Sequence, residues 1–289
     1  QKKKQKKRGN PLWTLVFLAA LAVFCFSGYK LIGIYLDYKT GTDEYRDLQQ
    51  YTTEITKTPE TPAPTKTEEP QAESEPAEPS EPEPEPLSYP TEPPLAVDFE
   101  SLKAINPDVK GWLYIEALDI SYPVVQGPDN DTYLHTTYEG TSNFAGSIFL
   151  DYQNQDDFSD GNTIVYGHNM KNGSMFAKLA YYKNESFYRQ QGNDVFYIYT
   201  GDEIREYRIF DAFENDPEGY VYTCNFGTAS QLQEYASTVK SYSLYDTGVD
   251  VSSATQVVTF STCTGDGARR IIVQGIYVGS RTDKQTSDN

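Results

Sequence analysis

The sequence predicts a mainly β domain, a closed eight-stranded barrel with a few peripheral helices, preceded by a transmembrane helix. Three observations lead there. An uncharged apolar run lies close behind a basic cluster, a stretch rich in Pro and Glu follows it, and about eight short strand-like segments with few helical intervals fill the rest.

The basic cluster is Lys2, Lys3, Lys4, Lys6, Lys7 and Arg8, with no acid among them. Behind it, Leu12 to Tyr29 carry no charge, and apolar character resumes from Leu31 to Leu36. That length crosses a bilayer as a helix. Lys and Arg on its N-terminal side are expected to stay in the cytoplasm, which puts the remainder outside the cell. A cleaved signal peptide has the same basic-then-apolar order, but the run is long for a signal core and has no Ala-x-Ala exit. Cys25 follows Phe24 rather than a small residue, so a lipoprotein signal fits poorly.

Residues 37–57 are polar with scattered apolar positions, a candidate helical stem. From Thr58 to about Ala96 the chain holds most of its 17 prolines, among them Glu81-Pro82-Glu83-Pro84-Glu85-Pro86. Proline favours extended backbone, glutamates repel one another, and too few apolar residues remain for a core, so a solvated spacer is expected. The organisation read from these shifts is a basic cytoplasmic segment (1–10), an anchor (11–36), a polar stem and Pro/Glu-rich linker (37–96), a folded domain (97–280) and a tail (281–289).

Within the domain, strands are expected at Trp112–Ile115, Ile120–Val125, Ser147–Leu150, Thr163–Tyr166, Val195–Thr200, Glu206–Phe213, Gln256–Phe260 and Ile271–Val278. Helical spacing marks Ser174–Tyr182 and Gln231–Lys240, and more weakly Phe99–Ala104. The formal net charge of −18 excludes nucleic-acid binding, because the acidic folded part repels phosphates. Two histidines far apart, with no zinc-type Cys/His spacing, predict no metal site, and no cofactor is called for. The three cysteines leave Cys224–Cys263 as the only extracellular bridge, which a large domain does not need, so a thiol kept for reactivity is the alternative.

That thiol is Cys263, delivered by the apolar run Val257–Phe260. His168 follows Thr163–Gly167, and Arg269-Arg270 open the last strand. Thiolate chemistry on a carbonyl needs a base beside the sulfur and a fixed cation for the oxyanion, and Cys263, His168 and Arg270 can supply them. Each has a plainer reading: a small buried Cys, a loop His, a solvated Arg. Cys224 has no basic neighbours and reads as a buried or bystander thiol. His135, in a polar loop, reads as structural or exposed.

The local sequence Thr259-Phe-Ser-Thr-Cys263-Thr, followed by Arg270-Ile-Ile-Val-Gln-Gly275 and joined to Tyr166-Gly-His168-Asn-Met170, resembles the sortases, membrane-anchored cysteine transpeptidases of Gram-positive bacteria. Ile105–Trp112, Tyr122–Gln126, Asp129-Asn130, Tyr133-Leu134 and Gly146–Asp151 are similar to the class B subgroup, in the right order over residues 98 to 279. The resemblance implies a sortase-type barrel with Cys263 as nucleophile, His168 as general acid/base and Arg270 as oxyanion or substrate-positioning group. Arg269 stays an alternative, since neighbours on a strand point to opposite faces. It implies that Asn130, Leu134, Tyr166 and Ser261 line the substrate cleft. Core packing is the other reading of Leu134 and Tyr166.

The expected reaction is cleavage of a C-terminal sorting signal of secreted surface proteins, a thioester on Cys263, and transfer to an amine of a peptidoglycan precursor. A pilin-polymerising relative would use a lysine acceptor instead. A papain-like peptidase places Cys before His in the chain, the reverse of the order here, and in an L,D-transpeptidase the two sit close together. A non-catalytic binding module on an anchored stalk fits the anchor and linker equally well. Reactivity of Cys263 separates it from the enzyme.

Overall fold

The computed structural model describes residues 11–55 and 94–282. The basic segment 1–10, most of the Pro/Glu-rich stretch and the end of the tail lie outside the described residues.

Helix α1 (Pro11–Asp47) carries the apolar run and is long and apolar enough to cross a bilayer. Its last turns carry a different pattern. Gly41, Glu44, Tyr45 and Leu48 recur at three- and four-residue spacing, and all four are buried against the domain. The Tyr38 ring meets Phe144 edge-on at 4.6 Å, Asn143 Nδ2 donates to the Asp37 carbonyl at 2.8 Å, and Glu139 N–H donates to Glu44. After a 3₁₀ turn, β1 (Thr52–Glu54) pairs antiparallel with β2 (Leu95–Val97), and the Ile55 amide donates to the Pro94 carbonyl at 3.0 Å.

Here the structure differs from the expected division. Residues 37–55 and 94–96, assigned above to stem and linker, form helix and strand packed on the domain. A helix with a buried stripe docks because that stripe must leave water. The two ends that flank the Pro/Glu-rich stretch therefore meet on one strand pair.

Helix α2 (Phe99–Ile105) starts at Asp98, whose side chain accepts from the Ser101 amide at 3.0 Å, an N-cap. The barrel follows: β3 (Val109–Ile115), β4 (Ile120–Val125), β5 (Ile148–Leu150), β6 (Asn162–Tyr166), β7 (Val195–Tyr199), β8 (Glu203–Asn215), β9 (Val257–Cys263) and β10 (Arg270–Thr282). It closes in the order β10-β8-β7-β3-β4-β5-β6-β9. Pairs β4·β5 and β6·β9 are parallel and the rest antiparallel. Closure leaves no open edge. The expected eight-stranded barrel is therefore the observed one.

Aromatic and branched side chains fill the interior. Phe196 stacks on Tyr207 at 4.9 Å, and Phe260 packs edge-on against both Phe196 and Phe176. A second cluster lies outside the barrel under α4 (Ala229–Lys240), which follows the short α3 (Glu185–Tyr188). Helix α4 opens with a capping box, Thr228 and Gln231 each bonding the other's backbone, and buries Leu232, Tyr235, Ala236 and Val239.

The helix expected at Ser174–Tyr182 is instead a run of 3₁₀ turns at Ala177–Lys183. Met175 takes a left-handed φ of 55° and bridges to Asn169, which breaks the helix before it can start. Strands β8 and β10 run longer than their apolar patterns. Their extra residues include charged ones paired at the surface, as in Glu214 with Lys183 and Arg281 with Glu206.

Candidate active site

Strand register brings the chemistry together. Strand β6 runs parallel to β9 with Tyr166 opposite Ser261. Two residues further on, the first strand reaches His168 and the second reaches Cys263, at the same end of the barrel. Gly167 between Tyr166 and His168 has no room for a side chain, since a Cβ there would strike Ile148 and Phe176. Beyond the histidine, Asn169 Nδ2 donates to the Cys263 carbonyl at 2.8 Å and ties the two strand ends.

Cys263 is the last residue of β9 and Arg270 the first of β10, directly opposite one another. Opposed residues of an antiparallel pair project to the same face. Arg270 accordingly lines the cleft with Cys263, its Nη1 donating to the Arg269 carbonyl at 3.2 Å and the Gly267 carbonyl at 3.3 Å. Arg269 turns away. Its guanidinium donates to the Glu214 carbonyl at 2.8 Å and lies 3.8 Å from the carboxylates of Glu214 and Asp216.

His168 is partly buried, and its Nε2 lies 2.8 Å from the Leu134 carbonyl oxygen. A carbonyl only accepts, so in the neutral ring Nε2 holds the proton and Nδ1 is free to take or release one. Burial draws its pKa below the ordinary 6.5. The Leu134 bond offsets part of that, and charge on His135 adds to it. The rings of His135 and His168 stack at 5.7 Å, 21° apart.

All seven residues singled out in the sequence, Cys263, His168, Arg270, Asn130, Leu134, Tyr166 and Ser261, line one cleft of about 290 Å³. Both Cys263 and Cys224 are free thiols. Cys224 is buried, and burial pushes it up to about 11, so it stays protonated.

Sequence reading missed several neighbours. Asp151, just past β5 and 5% exposed, accepts from Tyr166 Oη and Asn130 Nδ2 through one oxygen, each at 2.9 Å. Burial first, and then the Asp151 charge, push the Tyr166 phenol far above its ordinary value, so it remains a donor. Tyr222 forms the opposite wall, its hydroxyl 3.0 Å from Ser261 Oγ and its ring stacked near Tyr166 at 6.4 Å. The buried Asn162 amide fastens that wall, donating to the Thr223 carbonyl and Tyr235 Oη and accepting from Thr259. The Gly146–Asp151 segment was visible as a motif, but nothing local marked Asp151 as the common acceptor.

The comparisons with known proteins agree with this geometry. A sortase-domain model matches residues 113–278. Sortase B of Listeria monocytogenes is 38% identical over 184 residues, which is 63% of this chain and 74% of that protein. Among solved structures, a sortase B of Clostridium perfringens superimposes with a TM-score of 0.59 at 33% identity, covering 63% of this chain and 86% of that one. A Staphylococcus aureus sortase B–substrate complex gives 0.57 at 28% identity, over 62% of this chain and 84% of that one. Matched across most of the barrel in sequence and in fold, the chain belongs to the sortase family and is a cysteine transpeptidase of its class B branch.

Proposed function

We propose that Cys263, His168 and Arg270 carry the transpeptidation and that the cleft takes the sorting signal of a secreted surface protein. One observation supports this above the others: a thiol and a guanidinium directly opposed on adjacent strands, in a cleft that also holds a neutral imidazole. His168 takes the Cys263 proton as the sulfur attacks the scissile carbonyl carbon. The oxygen gains negative charge, which the Arg270 guanidinium stabilises. The C–N bond then breaks, the leaving amine receives the proton from His168, and a thioester remains on Cys263. An acceptor amine attacks the thioester, gives its proton back through His168 and restores the thiol.

Asn130, Leu134, Tyr166 and Ser261 hold the peptide, with Asp151 fixing Asn130 and Tyr166. The acceptor is an amine of a peptidoglycan precursor. Helix α1 spans the membrane with its basic N-terminal side in the cytoplasm and the barrel outside, where peptide and amine meet. That a Staphylococcus aureus sortase B forms a complex with its substrate supports this reading.

The full chain in detergent, mixed with a library of sorting-signal peptides, is expected to give a covalent acyl adduct on Cys263 by mass spectrometry. A peptide-scale amine should discharge it to a new amide, and Cys263→Ala should form neither product. Cleavage by the alanine variant at the wild-type rate would sink the assignment.

A further inference from the structure

The docked end of α1 reaches the active site through hydrogen bonds. Tyr45 is 5% exposed, and its hydroxyl lies 2.8 Å from the Gly146 carbonyl and 3.1 Å from Ser147 Oγ. Ser147 is tied to the other arm of the same loop, its amide donating to the Tyr133 carbonyl at 3.0 Å and its hydroxyl to the Thr136 carbonyl at 2.8 Å. Between those two anchor points lies Leu134, whose carbonyl accepts from His168. Gly146 has a φ of 56°, and a Cβ there would collide with the Leu134 carbonyl. The backbones of Gly146 and Leu134 are therefore in direct contact, and a phenol on α1 holds one of them.

We propose that Tyr45 is a positioning residue of the transpeptidase. Through Gly146 and Ser147 it fixes the Leu134 carbonyl that orients the His168 ring and selects its tautomer. The membrane-proximal helix is thus a working part of the catalytic unit as well as an anchor. The proposal rests on the role of His168 given above. It does not require that α1 cross a membrane.

A tautomer set by one carbonyl is sensitive to that carbonyl's position, because a hydrogen bond weakens steeply with misalignment. The Leu134 bond raises the His168 pKa against burial, so loosening it lowers that pKa further. Tyr45→Phe removes the hydroxyl and keeps the ring that packs on Tyr122 at 5.3 Å. The expected result in the full-length protein is a kcat lowered about three- to tenfold, the range of one net hydrogen bond, with KM within twofold. The limb of the pH–rate profile belonging to His168 should move to lower pH. Gly146→Ala, which displaces the carbonyl from the other side, should produce the same two signatures.

A Tyr45→Phe protein with a lower melting temperature but wild-type kcat and pH profile would show a purely structural tyrosine and overturn the proposal. His168→Ala, run in parallel, separates this from failure of the underlying mechanism: if it turns over normally, the role of His168 is wrong, whatever Tyr45 does.

Discussion

Arg270 stands directly opposite Cys263 across the β9–β10 ladder, while its neighbour Arg269 is engaged by Glu214 and Asp216 on the other side. One residue of register thus separates a cleft guanidinium from a surface ion pair. On the role proposed for Arg270, Arg270→Lys is expected to lower kcat about 100-fold, since a point charge replaces the planar guanidinium fork. Arg269→Lys should leave it within about threefold, because exposed pairs contribute little. Steady-state kinetics on a cleavable peptide compares the two, and equal losses would count against the assignment.

Asp151 holds Tyr166 and Asn130 through a single oxygen. Asp151→Asn replaces two charge-assisted bonds with weaker ones, so peptide KM should rise about tenfold while kcat changes less. Tyr166→Phe should show a smaller rise. A change confined to kcat in both variants would move these residues from binding to chemistry.

His135 stacks on His168 and, when charged, lowers its pKa. Removing a like charge has the opposite sign. His135→Gln should therefore shift the His168 titration upward, read by NMR of the ring protons. A downward shift, or none, would contradict the stacked geometry.

Asp211 in β8 is fully buried, its carboxylate has no side-chain hydrogen-bond partner among the described residues, and burial, offset only in part by the Gln274 backbone, holds its pKa well above the ordinary 3.8. Below the unfolded-state value both states are protonated and nothing is lost. As pH rises from there towards the folded value, only the unfolded chain ionises, so stability declines. Asp211→Asn should remove that decline and stabilise by roughly 1–3 kcal/mol at pH 7. Thermal melts between pH 4 and pH 8 test it; a gain that shrinks as pH rises is the wrong sign.

Since Ile55 and Pro94 are joined by a hydrogen bond, replacing residues 58–91 with a short Gly-rich turn should leave activity and the α1–barrel distance unchanged. Energy transfer between dyes on α1 and on the barrel measures the latter. A collapse of either would return the stretch to the role of a spacer.

Much of this fold was legible because barrel strands carry local signals. Ile120–Val125 appears with the bounds its apolar and β-branched run suggested, and the Tyr166-Gly167-His168 and Thr262-Cys263 blocks mark strand ends. Non-local relationships were not legible. The docking stripe of α1 is short and interrupted by Thr42, Asp43, Arg46 and Asp47, so beside a long apolar run it reads as polar stem. In sequence His135 reads as structural or exposed because its loop is polar, yet the bridge of Thr136 to Ser142 folds that loop back and brings the ring over His168. Asp151 meets Tyr166 only because β5 and β6 pair.

The Asn162 amide that fastens the Tyr222 wall has a thermodynamic consequence. It links β6, β9, α4 and the segment at Thr223 from the interior. The wall is therefore ordered when the barrel folds, not when a peptide arrives, and the entropy of fixing it falls on folding. Peptide association should show little coupled ordering, with a heat-capacity change set by the apolar surface covered in the cleft alone.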